Sequence, residues 1–227
     1  MFIDVAKGRK FDLVEGQLSI ASAALHTTTD LIIQILYDLC AHPEYFAPLR
    51  EEITSVIQEH GWQKKTFQQL KFMDSLMKET QRLKPIGQTA VQRVPMVDVK
   101  LSDGTVLPKG SHVVVYNDGS RDPKIFENPE RFDPYRFLRM RSEPGKENSN
   151  QFASTSPSQL GFGHGIHSCP GRFFVSNEVK IILSHMVMKY DWKFADGQDV
   201  PEPIAVGSDF VTNPEGRLMY RLRENPA

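Results

Sequence analysis

The sequence predicts a mainly helical α+β fold, and three features carry that reading. A long apolar segment, Glu15 to Ala41, precedes two shorter amphipathic stretches that end before Pro85. From Gln88 the hydrophobic spacing changes from helical to alternating. After a long polar stretch, one more helical segment and an alternating tail close the chain. Helices, then strands, then a helix with strands is the order of an α+β domain rather than of a βαβ repeat.

Between Glu15 and Ala41, residues such as Leu18, Ile20, Leu25, Leu31, Ile35 and Leu39 leave little polar face. A helix apolar nearly all round is expected to cross the middle of a domain, and at 1.5 Å per residue it would span roughly 40 Å. Pro43 ends it and opens a second helix, expected over Pro43 to Glu59 and broken by Gly61. A third is expected over Phe72 to Leu83, stopping ahead of Pro85. The β region covers residues 88–116: Val97, Val99 and Leu101 alternate with polar residues, Asp103-Gly104 signals a hairpin turn, and Val113 to Val115 supplies another strand. Residues 121–160 read as a polar meander, with Arg141 to Ser158 as a mobile insertion. A glycine-rich stretch at 162–171 leads into a helix running to about residue 190. The tail, 210–223, reads as a hairpin around Asn213-Pro214-Glu215-Gly216. There is no internal repeat, and the whole chain is expected to form part of one domain.

The 227 residues carry 27 Lys+Arg against 28 Asp+Glu, a formal charge of −1. That balance excludes the basic surplus of a nucleic-acid partner. With 40% hydrophobic and 24% charged residues the composition is globular. Residues 1–10 lack the apolar core of a signal peptide, and no run reaches the ~18 apolar residues of a membrane span. Two cysteines, Cys40 and Cys169, provide no disulfide framework and point to a reducing compartment.

The chemistry concentrates in Phe162-Gly163-His164-Gly165-Ile166-His167-Ser168-Cys169-Pro170-Gly171. Cys169 is expected at the N-cap of the following helix, with Pro170 at its first position. A thiol there meets unpaired backbone N–H groups and the positive end of the helix dipole, which favour the thiolate. The glycines permit positive φ and let a flat ligand approach the backbone. A zinc site on His164, His167 and Cys169 is a poor alternative, because three ligands crowd within six residues with no distant partner pair.

The segment matches Phe-x-x-Gly-x-x-x-Cys-x-Gly at Phe162, Gly165, Cys169 and Gly171, and so resembles the haem-binding signature of cytochromes P450, in the fungal form ending Cys-Pro-Gly-Arg-Phe-Phe. Three further stretches, in the family's order, extend the resemblance. Glu79-Thr80-Gln81-Arg82 resembles its Glu-x-x-Arg helix, and Pro129-Glu130-Arg131-Phe132 its Pro-Glu-Arg-Phe segment. Ala23-Ala24-Leu25-His26-Thr27-Thr28 is similar to its oxygen-activation stretch, with Ala24 in place of a glycine and His26 in place of an acid.

The resemblance implies the C-terminal, haem-binding half of the P450 fold, with small β-hairpins. It implies haem b held by Cys169 as thiolate ligand to the iron, with Phe162, Gly163, Gly165 and Gly171 shaping the loop, and Arg93 and His167 on the haem propionates. Thr27 and His26 become the catalytic proton-relay residues. Glu79, Arg82 and Arg131 become a buried structural charge network. Segments 85–91 and 208–211, with Ile86, Val91, Phe210 and Val211, fall where the family contacts substrate, and suggest an apolar pocket. The implied activity is insertion of one oxygen atom from O2 into a small apolar organic substrate, in fungal secondary metabolism, with electrons from NADPH-cytochrome P450 reductase. Lys146, Arg172 and Lys180 are the expected docking charges. Full-length relatives are expected on the cytosolic face of the endoplasmic reticulum, with membrane contact only through an N-terminal half absent from this sequence; the chain as written would be cytosolic. Two other functions fit the same residues: a truncated, non-catalytic remnant unable to close the haem pocket, and a haem-thiolate isomerase or peroxide-using enzyme. The 227-residue chain by itself is expected to be marginally stable, to associate, or to bind haem poorly.

Overall fold

The computed structural model describes residues 6–224; the first five residues of the N-terminal stretch read above lie outside them. Helix α1 runs over Leu13–Ala41, started by the Asp12 carboxylate, which accepts from the amides of Val14 at 2.8 Å and Glu15 at 3.0 Å. Its burial is uneven. From Thr28 onward it is core, with Leu31, Ile35 and Leu39 buried, whereas Val14, Leu18 and Leu25 are each more than 60% exposed. The all-round burial expected from the sequence therefore holds only for the second half.

Pro43–Tyr45 forms a short 3-10 turn rather than the first turn of the next helix, so α2 is Phe46–His60. Gly61, at φ +68°, closes it through its amide to Ile57 O. Helix α3, Lys71–Leu83, is buried along almost its whole length. Its N-terminus is capped from outside: Glu52 of α2 accepts from the amides of Phe72 (2.6 Å) and Met73 (2.9 Å). A six-residue helix, α4, Arg136–Arg141, arises within the polar stretch where the sequence shows no periodicity. Helix α5 is Arg172–Lys189. The second half of α1 packs with α2, α3 and α5 around Leu49, Ile53, Met73, Leu76, Leu183 and Val187.

The strands form four separate antiparallel pairs. β1 (Thr89–Arg93) pairs with β4 (Val113–Tyr116) across a bulge that leaves Val91 at φ +52°. β2 (Val99–Lys100) and β3 (Val106–Leu107) make the hairpin around Asp103-Gly104. β5 is Tyr190–Phe194, β6 Ile204–Val206, β7 Asp209–Val211 and β8 Leu218–Leu222.

Two sequence readings are corrected here. The tail is not a 210–223 hairpin: β7 turns back on β6, and β8 pairs with β5, directly after α5. The Asn213 to Gly216 segment bends the chain but does not join paired strands, since β8 forms a five-pair ladder with β5. Nor is Arg141 to Ser158 a loose insertion. Phe152 is fully buried, its amide donates to Asp74 Oδ2 at 2.8 Å, and Arg141 also reaches Asp74.

The 213–216 bend lies hard against α1. A Cβ added at Gly216 would stand 2.0 Å from the Tyr37 hydroxyl oxygen and 2.8 Å from Pro201 Cγ. Gly216→Ala is therefore expected to cost about 1–3 kcal/mol by overpacking. Thermal unfolding of the variant checks this, and an unchanged midpoint would show that Tyr37 yields freely.

Candidate functional site

Helix α3 is the platform on which the site is assembled. Glu79, fully buried, accepts a two-pronged contact from Arg82, Nε to Oε2 and Nη2 to Oε1, both at 2.8 Å. The third member is Arg136, not Arg131. Arg136 Nε lies 3.1 and 3.2 Å from the two Glu79 oxygens, and the Asp133 amide donates to Glu79 Oε1 at 3.0 Å. Arg131 is exposed and contributes only its carbonyl, which accepts from Arg136 Nη2 at 3.1 Å. Pro134-Tyr135-Arg136-Phe137 repeats the Pro-x-Arg-Phe pattern five residues after Pro129-Glu130-Arg131-Phe132. The later copy is the one that α4 turns inward. Remaining donors on both buried guanidiniums are met by carbonyls, Ser120 and Pro129 for Arg82 and Glu127 and Asn128 for Arg136. The cluster locks the meander onto α3.

The same helix carries the segment leading to the cysteine loop. Lys78 Nζ donates to Gln151 O and Ser154 O, both at 2.8 Å. Gln81 occupies the space where a Cβ on Gly161 would sit, 2.5 Å from that position, so any larger residue there would have to displace the Gln81 side chain. Phe162 is half-buried, edge-on to Phe152 at 5.1 Å. Gly163 and Gly165 adopt φ +65° and +78°.

Cys169 is a half-buried free thiol. It is not the N-cap expected from the sequence: the cap is Gly171, whose carbonyl accepts from the Val175 amide, and α5 begins at Arg172. The Cys169 amide instead donates to Phe162 O at 2.8 Å, and its carbonyl accepts from Arg172 Nη1 at 2.7 Å. The residue thus belongs to a closed loop set just before the helix. Cys40, the other free cysteine, is half-buried against the core, and burial pushes its thiol up to about 12.

The other candidates are placed as follows. Thr27 Oγ1 donates to Ala23 O at 2.7 Å, one turn back in α1, and both Thr27 and His26 are exposed. The buried hydroxyl of that stretch is Thr28, whose Oγ1 has no hydrogen-bond partner. Arg93, at the end of β1, is exposed and donates to Gln92 O; His167 is exposed in a 3-10 turn, Gly165–His167. Among the described residues no hydrogen bond links Thr27, His26, Arg93 or His167 to Cys169. His164 pairs with Thr155 at 3.1 Å, and among the described residues no three His, Cys, Asp or Glu side chains gather as a metal site. Of the expected docking charges, Lys180 is buried and bound to Asp74 at 2.6 Å, so it is no surface cation; Lys146 is exposed but paired with Glu143.

A thiolate-bound haem fits this donor set. The Sγ is a soft ligand at the end of a loop whose turns at Gly163 (φ +65°) and Gly165 (φ +78°) use backbone conformations that glycine adopts freely. A free cysteine on a glycine loop, braced by a helix with a locked Glu–Arg pair in a mainly helical fold, is an arrangement that could hold a metal through a thiolate.

The comparisons agree with that class. The sequence matches the cytochrome P450 family over residues 11–220. Cytochrome P450 monooxygenase ntnM of Nectria sp is 47% identical over 221 residues, covering 97% of this chain and 43% of that protein. Cytochrome P450 monooxygenase trt6 of Aspergillus terreus is 46% identical over 226 residues, 98% of this chain and 46% of that one. In structure, a zebra fish cytochrome P450 solved with abiraterone superimposes with a TM-score of 0.72 at 22% identity, over 89% of this chain and 46% of that chain. The chain belongs to the cytochrome P450 family, and it spans about half the length of the curated relatives it matches. Among the described residues no helix is long and apolar enough to cross a membrane.

Proposed function

We propose that the protein in its full length is a haem-thiolate monooxygenase that inserts one oxygen atom from O2 into a small apolar organic molecule. The second oxygen leaves as water, formed with two protons and two electrons delivered from NADPH by a cytochrome P450 reductase. The observation that carries this reading is the free Cys169 on its glycine loop, seated on α3 beside the closed Glu79–Arg82–Arg136 cluster. The fungal monooxygenases among its relatives support the reaction class; a substrate from secondary metabolism and an endoplasmic-reticulum setting belong to the same proposal.

Bound haem would supply the reductive activation of O2. The chain's own residues do the rest. Cys169 Sγ is the ligand, held in place because its amide and carbonyl are both tied down. Phe162, wedged against Phe152, limits water beside the sulfur. Thr27 Oγ1 gives its proton to Ala23 O, which leaves the oxygen's lone pairs free to accept a proton and pass one on. His26 precedes it, and an imidazole can accept a proton at one ring nitrogen and donate from the other, so His26 serves where the family's acid is missing. Arg93 and His167 are assigned to the haem carboxylates, which suit a guanidinium and an imidazole N–H.

The test is a reduced-plus-CO difference spectrum of the full-length protein and of Cys169→Ala. A Soret band at the thiolate position, lost in the variant, is expected. No band, or one that survives the substitution, overturns the reading. The exposed apolar side chains of α1, Val14, Leu18 and Leu25, favour a second reading for the 227-residue chain alone: that it gives a weak band when haemin is added, because that face lacks cover.

A further inference from the structure

The two apolar segments assigned above to the substrate pocket are far apart in sequence but joined in the fold. Phe210 N donates to Ile86 O at 2.6 Å, and Gln88 N donates to Ser208 O at 2.8 Å. The β6–β7 hairpin is thereby laid across the 86–88 segment.

The far end of that hairpin is held by α1. Thr212 donates both its amide, at 2.6 Å, and its hydroxyl to the same oxygen of Asp30, and Gln34 Nε2 donates to Thr212 Oγ1 at 3.1 Å. Asp30 stands one helical turn from Thr27, so the two share a face of α1. Tyr37, a further two turns along, hydrogen-bonds Asn213 O. A continuous set of bonds therefore runs from the helix of the proton-relay hydroxyl, through Asp30 and Thr212, to Phe210 and Val211, and on to Ile86. An aspartate spending one oxygen on two donors of a single loop residue fixes that residue in both position and orientation.

We propose that Asp30 is a positioning residue for substrate, setting the apolar wall formed by Phe210 and Val211 of segment 208–211 at a fixed height over the Thr27 turn of α1. The proposal rests on the monooxygenase reading for the identity of the pocket. Asp30 touches no substrate; it acts through Thr212. Loss of its carboxylate frees the hairpin end at Phe210–Val211 while the bonds to Ile86 and Gln88 remain, so the wall tilts instead of unfolding. Ligands that reach the wall feel this, and ligands too small to reach it do not.

The experiment uses the full-length, haem-loaded protein with two probes. Imidazole occupies the iron alone, and 4-phenylimidazole adds a ring that extends into the pocket. Optical titrations are made on wild type, Asp30→Ala and Asp30→Asn, with amide hydrogen exchange at Thr212 followed in each. In Asp30→Ala we expect Thr212 exchange to accelerate at least about tenfold and 4-phenylimidazole binding to weaken about five- to tenfold, the scale of one ordinary hydrogen bond. Imidazole binding should stay unchanged. Asp30→Asn keeps an acceptor oxygen and is expected to restore 4-phenylimidazole binding to within about twofold of wild type. Faster exchange at Thr212 with both probes unaffected would overturn the positioning role, as would equal weakening of both. Unchanged exchange would show that Asp30 does not hold Thr212. If wild type binds neither probe, the monooxygenase reading fails and takes this proposal with it, whereas wild type binding both separates the two failures.

Discussion

Arg136→Leu is expected to lower the free energy of unfolding by about 3–5 kcal/mol, the scale for breaking a buried ion pair, while Arg131→Leu changes it by under about 0.5 kcal/mol, as for an ordinary surface substitution. The asymmetry follows from geometry. Arg136 shares both oxygens of Glu79 and binds three carbonyls of the meander; its removal strands Glu127 O and leaves Asn128 O with the Arg131 amide and Arg131 O with Arg82 Nη2 at 3.5 Å. Glu79 then faces one arginine instead of two in a site with no water access. Arg131 sends its side chain to solvent. Urea unfolding of the two variants beside wild type measures the difference, and comparable losses would return Arg131 to the network.

That pair of arginines also shows what a sequence can carry. The Glu79–Arg82 pairing was legible because two residues three apart on a helix share a face. The cysteine loop was legible because its glycines, cysteine and aromatic residue are contiguous. The choice between Arg131 and Arg136 was not, because the pattern Pro-x-Arg-Phe occurs twice within nine residues, at 129–132 and 134–137. Only the inward turn of the short α4 distinguishes them, and that helix has no periodicity long enough to read.

The other misreadings share a cause. Asn213 to Gly216 carries a strong local turn signal, yet the partner of β8 is β5, a pairing such as Trp192 with Tyr220 that no local signal encodes. Residues 141–158 read as mobile from their polarity, but one phenylalanine, Phe152, and two polar residues of α3, Asp74 and Lys78, bind the segment down. Lys180 read as a surface cation for the same reason: its anion, Asp74, lies more than a hundred residues away in sequence. In the last two cases the decisive partner is on α3, the most buried helix, whose polar residues look like a solvated face until the fold covers them.

Lys78 gives the second large effect, in the dependence of stability on pH. Its ammonium is buried, faces the Phe137 ring at 5.4 Å and donates only to the carbonyls of Gln151 and Ser154. Desolvation pushes its pKa down to about 7, opposed by the negative charge of Asp74 and reinforced by Arg141. In the unfolded chain the same lysine keeps its proton to its ordinary value of 10.5. Between those two values the unfolded state binds more protons than the folded state, so stability rises as pH rises. The slope approaches about 1.4 kcal/mol per pH unit, or on the order of 5 kcal/mol over the whole window. Cys40 opposes it at the alkaline end, since its thiol is raised from 9.0 to about 12 and its contribution falls as pH climbs through that range. Comparison with Lys78→Met removes that shared term. Unfolding free energies measured at pH 7 and at pH 9 are expected to show wild type gaining about 2 kcal/mol relative to Lys78→Met. Parallel profiles for the two proteins would mean that the ammonium reaches solvent or a carboxylate, and that the 151–154 segment is held to α3 by something other than this lysine.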